Sequence, residues 1–246
     1  MLLRLFDDAE RHTRMDFETK SGCGPMTLDV KQPAGDEERP AGFESFQGYF
    51  DAAGQRELVA WVHRVAEIAP FFTPMMPKTG KPFSVQMTNA GALGWISDRT
   101  GYKYVAEHPV TGVAWPPVLD LLHTLWREVA PDAPEPEACL INLYRGKARL
   151  GSHVDRDEAV FDAPVVSISL GDDAVFHVGG RRRKDPKTRM TLRSGDVVVL
   201  GGEARLAYHG IDRVMPGTSD LLAPDGGRIN LTLRRVTGAD DENPDR

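Results

Sequence analysis

The stretch LGSHVDRDEAVFDAPVVSISLG, residues 150–171, places one histidine and two aspartates within five positions and then runs into an apolar segment typical of a buried strand. On or beside a strand, side chains two residues apart project to the same side, so His153 and Asp155 can reach one ion. Imidazole and carboxylate, with other coordination positions open, are the ligand types of a non-haem Fe(II) site. The stretch therefore predicts a metal site, although the same two residues taken alone also fit a solvent-exposed loop.

Short β-type segments separated by glycine-containing turns make up the chain after Pro136. They are ACLINLY (138–144), APVVSISLG (163–171), AVFHVGG (174–180), RMTLRSGD (189–196), VVVLGG (197–202), LAYHGI (206–211) and RINLTLRRV (228–236). Their length and spacing favour a sandwich or barrel of strands.

The region before Pro136 is organised differently. Residues 54–69 and 116–130 have helical periodicity; the second segment has one apolar stripe, formed by Val118, Leu121, Leu122, Leu125, Trp126 and Val129. Residues 79–115 are rich in glycine, proline and aromatic residues without a clean period, which predicts a loop-rich lobe or lid. Helices followed by strands predict an α+β fold, with the helices packed outside a jelly-roll. Residues 1–42 and 237–246 are predicted to be a poorly ordered arm and a solvated acidic tail.

The composition limits which cellular compartment and which partners are expected. The chain has 246 residues, enough for one sizeable core, and no apolar run of membrane length. Its two cysteines provide no disulfide framework, and Cys139 lies in an apolar segment where a buried free thiol is expected. We therefore expect a cytoplasmic protein that does not contact a membrane. The formal charge of −6 argues against non-specific coating of nucleic acid but leaves room for a local basic groove.

A third metal ligand must come from another histidine. His177 in AVFHVGG and His209 in LAYHGI are both candidates, and spacing does not choose between them. His209 is predicted to end a short strand, and His177 could instead line a cavity. The other histidines are interpreted as ordinary surface or interface residues: His12, His63, His108 and His123.

The closing segment RINLTLRR alternates strictly, with Arg228, Asn230, Thr232 and Arg234 on one face and Ile229, Leu231 and Leu233 on the other. That polar face could simply be solvated. If it points inward, two buried guanidinium groups need an anion, and a dicarboxylate suits because arginine pairs bidentately with carboxylate. Asn142 and Tyr144 alternate in the same way in INLY and could donate hydrogen bonds to that anion.

Taken together, these motifs resemble the Fe(II)/2-oxoglutarate dioxygenases of the AlkB family. The likeness extends from about residue 43 to 236 and includes MTNAGALGW, GYKY, NLY, HVD, YHG and RINLTLR in order. The resemblance implies a double-stranded β-helix with flanking helices, with a helix and nucleotide-recognition lid at 43–115 and the dioxygenase core at 116–236. It implies that His209 joins His153 and Asp155 as iron ligands. It further implies a 2-oxoglutarate site formed by Asn142, Tyr144, Arg228, Asn230 and Arg234, with the pairing of arginines to carboxylates left open.

The implied reaction is oxidative demethylation of bases such as 1-methyladenine and 3-methylcytosine, using O2 and releasing formaldehyde, carried out by a monomer on single- or double-stranded DNA or on RNA. Such lesions are cationic, so Trp95 and Tyr102 are predicted to stack on the base and Asp157 to contact its exocyclic amine. In the basic segment 179–189, Arg183 is predicted to contact phosphate, with Arg182 as a second candidate. Two alternatives are an RNA- or tRNA-directed oxygenase and a non-catalytic metal-binding jelly-roll. The second alternative would not require two arginines beside the metal.

Overall fold

The computed structural model describes residues 39–238. The predicted arm up to residue 38 and the tail from residue 239 lie outside the described residues, as do His12 and Cys23. The predicted domain boundaries within the chain stay predictions.

The described chain contains twelve strands, two α-helices and one 3-10 helix. The strands are β1 (Phe43–Phe46), β2 (Gln86–Gly91), β3 (Gly94–Asp98), β4 (Gly101–Val105), β5 (Ala138–Tyr144), β6 (Leu150–His153), β7 (Val165–Gly171), β8 (Ala174–Gly179), β9 (Lys187–Leu192), β10 (Val197–Leu200), β11 (His209–Val214) and β12 (Arg228–Arg234). The helices are α1 (Ala52–Ile68), α2 (Asp120–Val129) and the 3-10 helix Gly202–Leu206.

Two antiparallel sheets form the predicted double-stranded β-helix. The major sheet has the order β1-β10-β7-β12-β5-β2, and the minor sheet has the order β6-β11-β8-β9. Apolar residues of both sheets, such as Leu140, Val198, Phe176 and Ile211, fill the space between them. The segments predicted as strands therefore close into a sandwich with an interior between the sheets.

The helices cover the other face of the major sheet, as predicted. Asp51 caps α1, its side chain accepting hydrogen bonds from the N–H groups of Ala53 (3.0 Å) and Gly54 (2.8 Å). Trp61 and Trp126 pack with the apolar face of the major sheet in one cluster. Helix α2 begins later than the predicted residue 116, because two prolines precede it and the backbone there is extended.

The predicted loop-rich lobe at 79–115 contains more regular structure than expected. Strand β2 joins the edge of the major sheet, and β3 and β4 form a separate hairpin. Glycines interrupt the polar/apolar pattern of this region, and some of them are needed for close packing of the backbone. A Cβ on Gly91, whose φ is +115°, would lie 2.2 Å from the carbonyl oxygen of Glu137. A nucleotide-recognition role for this region stays a prediction.

Two features of the structure bear on the predicted cellular compartment: the state of Cys139 and the character of the helices. Cys139 is a buried free cysteine, as predicted, and burial raises the pKa of its thiol to about 12. Within residues 39–238, no helix is both long and apolar enough to cross a membrane.

Candidate active site

His153, Asp155 and His209 converge on one point. His153 ends β6, His209 begins β11, and these two residues face each other in the β6–β11 register. Asp155 follows two residues after His153; its carboxylate oxygens lie 3.6 Å from His153 Nε2 and 3.7 Å from His209 Nε2. One ligand atom from each residue lies within 4.8 Å of the others. This is the spacing that a single ion needs.

The orientation of both imidazoles fits a metal ion. His153 Nδ1 donates a hydrogen bond to the carbonyl of Gly151 (2.9 Å), and His209 Nδ1 donates one to the carbonyl of Ala207 (3.0 Å). A proton on Nδ1 leaves the lone pair on Nε2, the atom that faces Asp155. The donor set of two neutral imidazoles and one carboxylate therefore fits Fe(II).

The electrostatics of the three groups agree with that donor set. Burial alone would raise the pKa of Asp155, but Arg234 and the two imidazoles outweigh it and hold the pKa well below its ordinary value. Burial, together with the neighbouring His153, lowers the pKa of His209 to about 4. At neutral pH the carboxyl group is therefore ionised and His209 is neutral, as ligands must be.

Two other histidines lie away from the triad. His177 is buried and pairs with Asp212 (Nδ1 to Oδ1, 2.8 Å) on the opposite face of its strand from Phe176, so it does not line the cavity. His108 is buried rather than at the surface, and its Nε2 donates to the carbonyl of Pro70 (2.8 Å). The prediction that His209 ends a strand was wrong: it begins β11, directly after the 3-10 helix.

A cavity of about 530 Å³ opens between the two sheets beside the triad. All five residues of the implied 2-oxoglutarate site line it: Asn142, Tyr144, Arg228, Asn230 and Arg234. The alternating polar face of β12 thus points inward, and the solvated-face interpretation was wrong. Every residue of β12 is buried, because this strand lies between β7 and β5 in the centre of the major sheet.

Arg228 is a buried cation for which residues 39–238 supply no carboxylate within 4.0 Å. Its Nη2 donates to Ser169 Oγ (2.8 Å), whereas its Nε and Nη1 find no hydrogen-bond partner in the part of the chain that the structure describes. Burial lowers its pKa, and burial raises the pKa of the adjacent Tyr144 to about 12. Buried donors are usually satisfied, so these unpaired groups indicate a place for an anionic ligand.

Arg234, at the other end of the polar face, is already paired. Its Nη2 lies 2.9 Å from Asp155 Oδ1, and its Nη1 donates to the hydroxyl of Tyr104 (3.0 Å) and lies 3.5 Å from Glu158 Oε1. The Tyr104 hydroxyl in turn donates to Glu158 (2.5 Å). Among the described residues, the Nε of Arg234 has no hydrogen-bond partner.

Tyr104, Glu158 and Arg205 are site residues that the sequence reasoning missed. Arg205 is buried and donates to Glu158 Oε2 (3.2 Å) and to the main-chain carbonyls of Asp155 (2.7 Å) and Ala163 (3.0 Å). It thereby fixes the loop that carries Asp155. A signal was present, because Glu158 and Arg205 lie only a few residues from the triad motifs in the sequence.

The predicted base-contacting residues lie together at one wall of the cavity. The rings of Trp95 and Tyr102 stack on each other, with centroids 5.6 Å apart and planes 18° apart. Trp95 Nε1 donates to Asp157 Oδ2 (2.9 Å). Trp95 is 8% exposed and Tyr102 is 49% exposed, so Tyr102 forms the outer layer of this stack.

The predicted phosphate-contacting arginines differ in their surroundings. Arg183 lines the cavity and lies over the Tyr208 ring, 5.5 Å from its centroid. Arg182 is turned toward Asp185 (3.4 Å) and does not line the cavity.

The chain resembles known oxygenases in sequence and in fold. The family model of the 2OG-Fe(II) oxygenase superfamily matches residues 42–234. The chain is 52% identical over 198 residues to an alpha-ketoglutarate-dependent dioxygenase AlkB homolog of Caulobacter vibrioides, covering 80% of this chain and 89% of the relative. It is 43% identical over 191 residues to the alpha-ketoglutarate-dependent dioxygenase AlkB of Escherichia coli, covering 76% and 86%. The structure of OsALKBH1 superposes with a TM-score of 0.66 at 28% identity, covering 81% of this chain and 100% of that one.

Proposed function

The chain belongs to the 2OG-Fe(II) oxygenase superfamily and, within it, to the AlkB family, and from this premise we propose that it removes N-linked alkyl groups from DNA bases by oxidation. The reaction would repair alkylated DNA by direct reversal. The reaction would take place in the cytoplasm, a reducing compartment in which the free thiol of Cys139 stays reduced. The active form would be a monomer.

One observation carries the proposal. A His-Asp-His triad with both Nε2 lone pairs turned toward a buried carboxylate shares a cavity with an unpaired, fully buried arginine. A cation site beside an anion site in one cavity is what an iron enzyme with an acidic co-substrate needs. A pure metal-binding module has no use for the second site.

In this proposal His153, Asp155 and His209 hold Fe(II), and the polar faces of β5 and β12 hold 2-oxoglutarate. Arg234 is paired with Asp155, whereas no described carboxylate pairs with Arg228, so we assign Arg228 the role of anchoring the carboxylate distant from the metal. Arg234 would then contact the end of 2-oxoglutarate nearer the triad. Asn142, Tyr144 and Asn230 would supply further hydrogen bonds.

Fe(II), 2-oxoglutarate and O2 together supply an oxidant that inserts one oxygen atom into a C–H bond, with release of succinate and CO2. The protein contributes position and exclusion of water. A methyl carbon attached to a ring nitrogen becomes a hydroxymethyl group, which breaks down to formaldehyde and the unmodified base. The wall formed by Trp95, Tyr102 and Asp157 would hold that base.

Cationic methylated bases suit this wall for physical reasons. Trp95 and Tyr102 present aromatic rings, and Asp157 adds a carboxylate; both favour a positively charged partner. Methylation that blocks base pairing also lowers the cost of moving the base out of the helix. The substrates we propose are therefore 1-methyladenine and 3-methylcytosine, with Arg183 at the cavity contacting the backbone.

The test is formaldehyde release from DNA oligonucleotides that carry 1-methyladenine, measured with Fe(II) and 2-oxoglutarate. We expect release by the wild type and loss of release in His153→Ala and Asp155→Ala. His123→Ala, which removes an imidazole on α2 away from the cavity, is the matched control and should keep wild-type release. Undiminished release by Asp155→Ala, or none by the wild type, would contradict the proposal.

Two further arms separate the alternatives. Matched single-stranded RNA and double-stranded DNA substrates measure the preference between nucleic acids. A protein that binds Fe(II) and 2-oxoglutarate but produces neither succinate nor formaldehyde with any substrate would be a binding module instead.

A further inference from the structure

The β3–β4 hairpin, which carries Trp95 and Tyr102, is hydrogen-bonded at two points to the loop between β6 and β7. Trp95 Nε1 donates to Asp157 Oδ2 (2.9 Å), and the Tyr104 hydroxyl donates to Glu158 Oε1 (2.5 Å). Trp95 and Tyr104 are register partners, so their side chains leave the same face of the hairpin. The hairpin therefore binds two consecutive residues of one loop.

That loop also carries the metal ligand Asp155, and Tyr104 reaches it through one residue. The Tyr104 hydroxyl accepts a hydrogen bond from Arg234 Nη1 (3.0 Å), and Arg234 Nη2 lies 2.9 Å from Asp155 Oδ1. Arg234 also lines the cavity at the proposed 2-oxoglutarate site. One hydroxyl group thus connects the hairpin with a guanidinium group that serves both the metal ligand and the co-substrate.

The groups that meet at the Tyr104 hydroxyl are shielded from water. Arg234 and Glu158 are both buried, and Tyr104 is partly buried. Burial raises the pKa of Tyr104, and together with Glu158 it outweighs Arg234, so the hydroxyl keeps its proton at neutral pH. The hydroxyl can then donate to the carboxylate and accept from the guanidinium group at the same time. Because hydrogen bonds to charged groups are the strong ones, this single hydroxyl fixes the positions of both side chains.

Tyr104 itself does not line the cavity, whereas Trp95, Tyr102 and Asp157 do. Its contribution is therefore to the distance between the wall proposed to hold the base and the metal ligand Asp155. A displacement of about 1 Å can lower the rate of an oriented reaction about 100-fold. A base that is displaced in this way leaves the oxidant unused, although 2-oxoglutarate is still consumed.

We propose that Tyr104 is a positioning residue that couples oxidation of the base to decarboxylation of 2-oxoglutarate, because it holds the hairpin and Arg234 in place beside Asp155. This inference rests on the proposed function and deepens it. In coupled turnover, 2-oxoglutarate and O2 give succinate, CO2 and a hydroxymethylated base, which releases formaldehyde. In uncoupled turnover, the oxidant takes two electrons and two protons from ascorbate instead, and the second oxygen atom of O2 leaves as water.

The experiment measures succinate and formaldehyde in the same reaction. The iron-loaded protein receives 2-oxoglutarate, O2, ascorbate and a single-stranded DNA oligonucleotide that carries 1-methyladenine. Tyr104→Phe keeps the ring and removes only the hydroxyl group. Tyr49→Phe is the matched control, because it removes a tyrosine hydroxyl that donates to Glu128 of α2, and Tyr49 does not line the cavity. Thermal unfolding checks that both variants fold.

We expect the wild type and Tyr49→Phe to form succinate and formaldehyde in equal amounts. Tyr104→Phe should form about tenfold less formaldehyde per succinate, the factor that the loss of one hydrogen bond to a charged group produces in an equilibrium. Partial unfolding lowers both products together and leaves their ratio unchanged, so the ratio separates positioning from stability. If Tyr104→Phe does not fold, Glu158→Gln decides: its neutral amide is a weaker acceptor for the same hydroxyl and should lower the ratio by a smaller factor.

An unchanged ratio in the folded variant would overturn the coupling role, and so would an equal fall of the ratio in Tyr49→Phe. If both products fall together in folded Tyr104→Phe, the hydroxyl acts only on binding of iron or 2-oxoglutarate, and the coupling is overturned as well. If the wild type demethylates the oligonucleotide and Tyr104→Phe matches it, only this inference fails. A wild type that forms succinate but no formaldehyde from any methylated oligonucleotide refutes the proposed function and this inference with it.

Discussion

The two arginines of β12 should respond in opposite ways to the same substitution. In Arg228→Met, the unfolded chain changes little, but the folded protein loses a fully buried charge that no carboxylate within residues 39–238 compensates. In Arg234→Met, the folded protein keeps Asp155 and Glu158 buried after losing the cation that lies 2.9 Å from one and 3.5 Å from the other. Methionine is apolar and flexible enough to occupy either position.

The magnitudes follow from burial. Replacing buried charges by apolar groups of similar size is neutral or stabilising, so Arg228→Met should raise the free energy of unfolding by about 1 kcal/mol. Breaking a buried pair by removing one partner costs about 3–5 kcal/mol, which applies to Arg234→Met. The two variants should therefore differ by roughly 5 kcal/mol, or roughly 10–20 °C in Tm for a domain of this size.

Urea denaturation of the protein without iron or 2-oxoglutarate measures this difference, and calorimetric titration with 2-oxoglutarate measures the functional cost. Both variants should bind 2-oxoglutarate much more weakly, because each loses a charge-assisted hydrogen bond. Equal destabilisation by the two substitutions would refute the reasoning, since it would mean that Arg228 is as well compensated as Arg234.

Three further predictions concern the surroundings of the site. Arg205→Met removes the donor to the main-chain carbonyl of Asp155, and we expect about tenfold weaker Fe(II) affinity by competition with a chelator. Gly94→Ala places a Cβ 2.4 Å from the Trp115 ring and should cost about 1–3 kcal/mol in urea denaturation. Burial alone would raise the pKa of Glu137, but hydrogen bonds from a threonine hydroxyl and two backbone N–H groups outweigh it and lower the pKa below its ordinary 4.5. The ionised Glu137 carboxylate therefore stabilises the folded protein. This stabilisation is complete above the unfolded-state pKa and is lost as pH falls through the lower folded-state pKa. Glu137→Gln should accordingly be less stable than the wild type at pH 7 and should lose less of its stability on acidification.

The strands in the second half of the chain were predictable because the segments are short and apolar or alternating, and because glycine-containing turns separate them. The strands at 138–144, 165–171 and 228–234 lie where the pattern predicts them. The region 79–115 was not predictable in this way, because some of its glycines allow close packing between segments of the chain rather than forming turns. Gly94, for example, is buried within β3 against Trp115.

The choice between His177 and His209 illustrates a second limit. Both residues lie in strands of the minor sheet, and the sequence does not fix which face of each strand points inward. The register does: His177 pairs with Gly210, the neighbour of His209, so the two imidazoles point to opposite faces of the sheet. The family resemblance implies His209, and the register of the closed sandwich gives the physical reason why His177 binds Asp212 instead.

The polar face of β12 could have been assigned from pairing logic if the neighbour of this strand had been known. Asn142 pairs with Asn230 and Tyr144 with Arg228 across β5 and β12, so two alternating polar faces coincide on one side of the major sheet. The apolar faces of both strands are needed against the helices, which leaves the polar side for the interior between the sheets. An interior of this kind is stable only if each buried charge acquires a partner. Asp155 is that partner for Arg234, whereas the chain described here supplies none for Arg228, and a polar interior with one uncompensated cation is therefore itself the mark of a site for an acidic ligand.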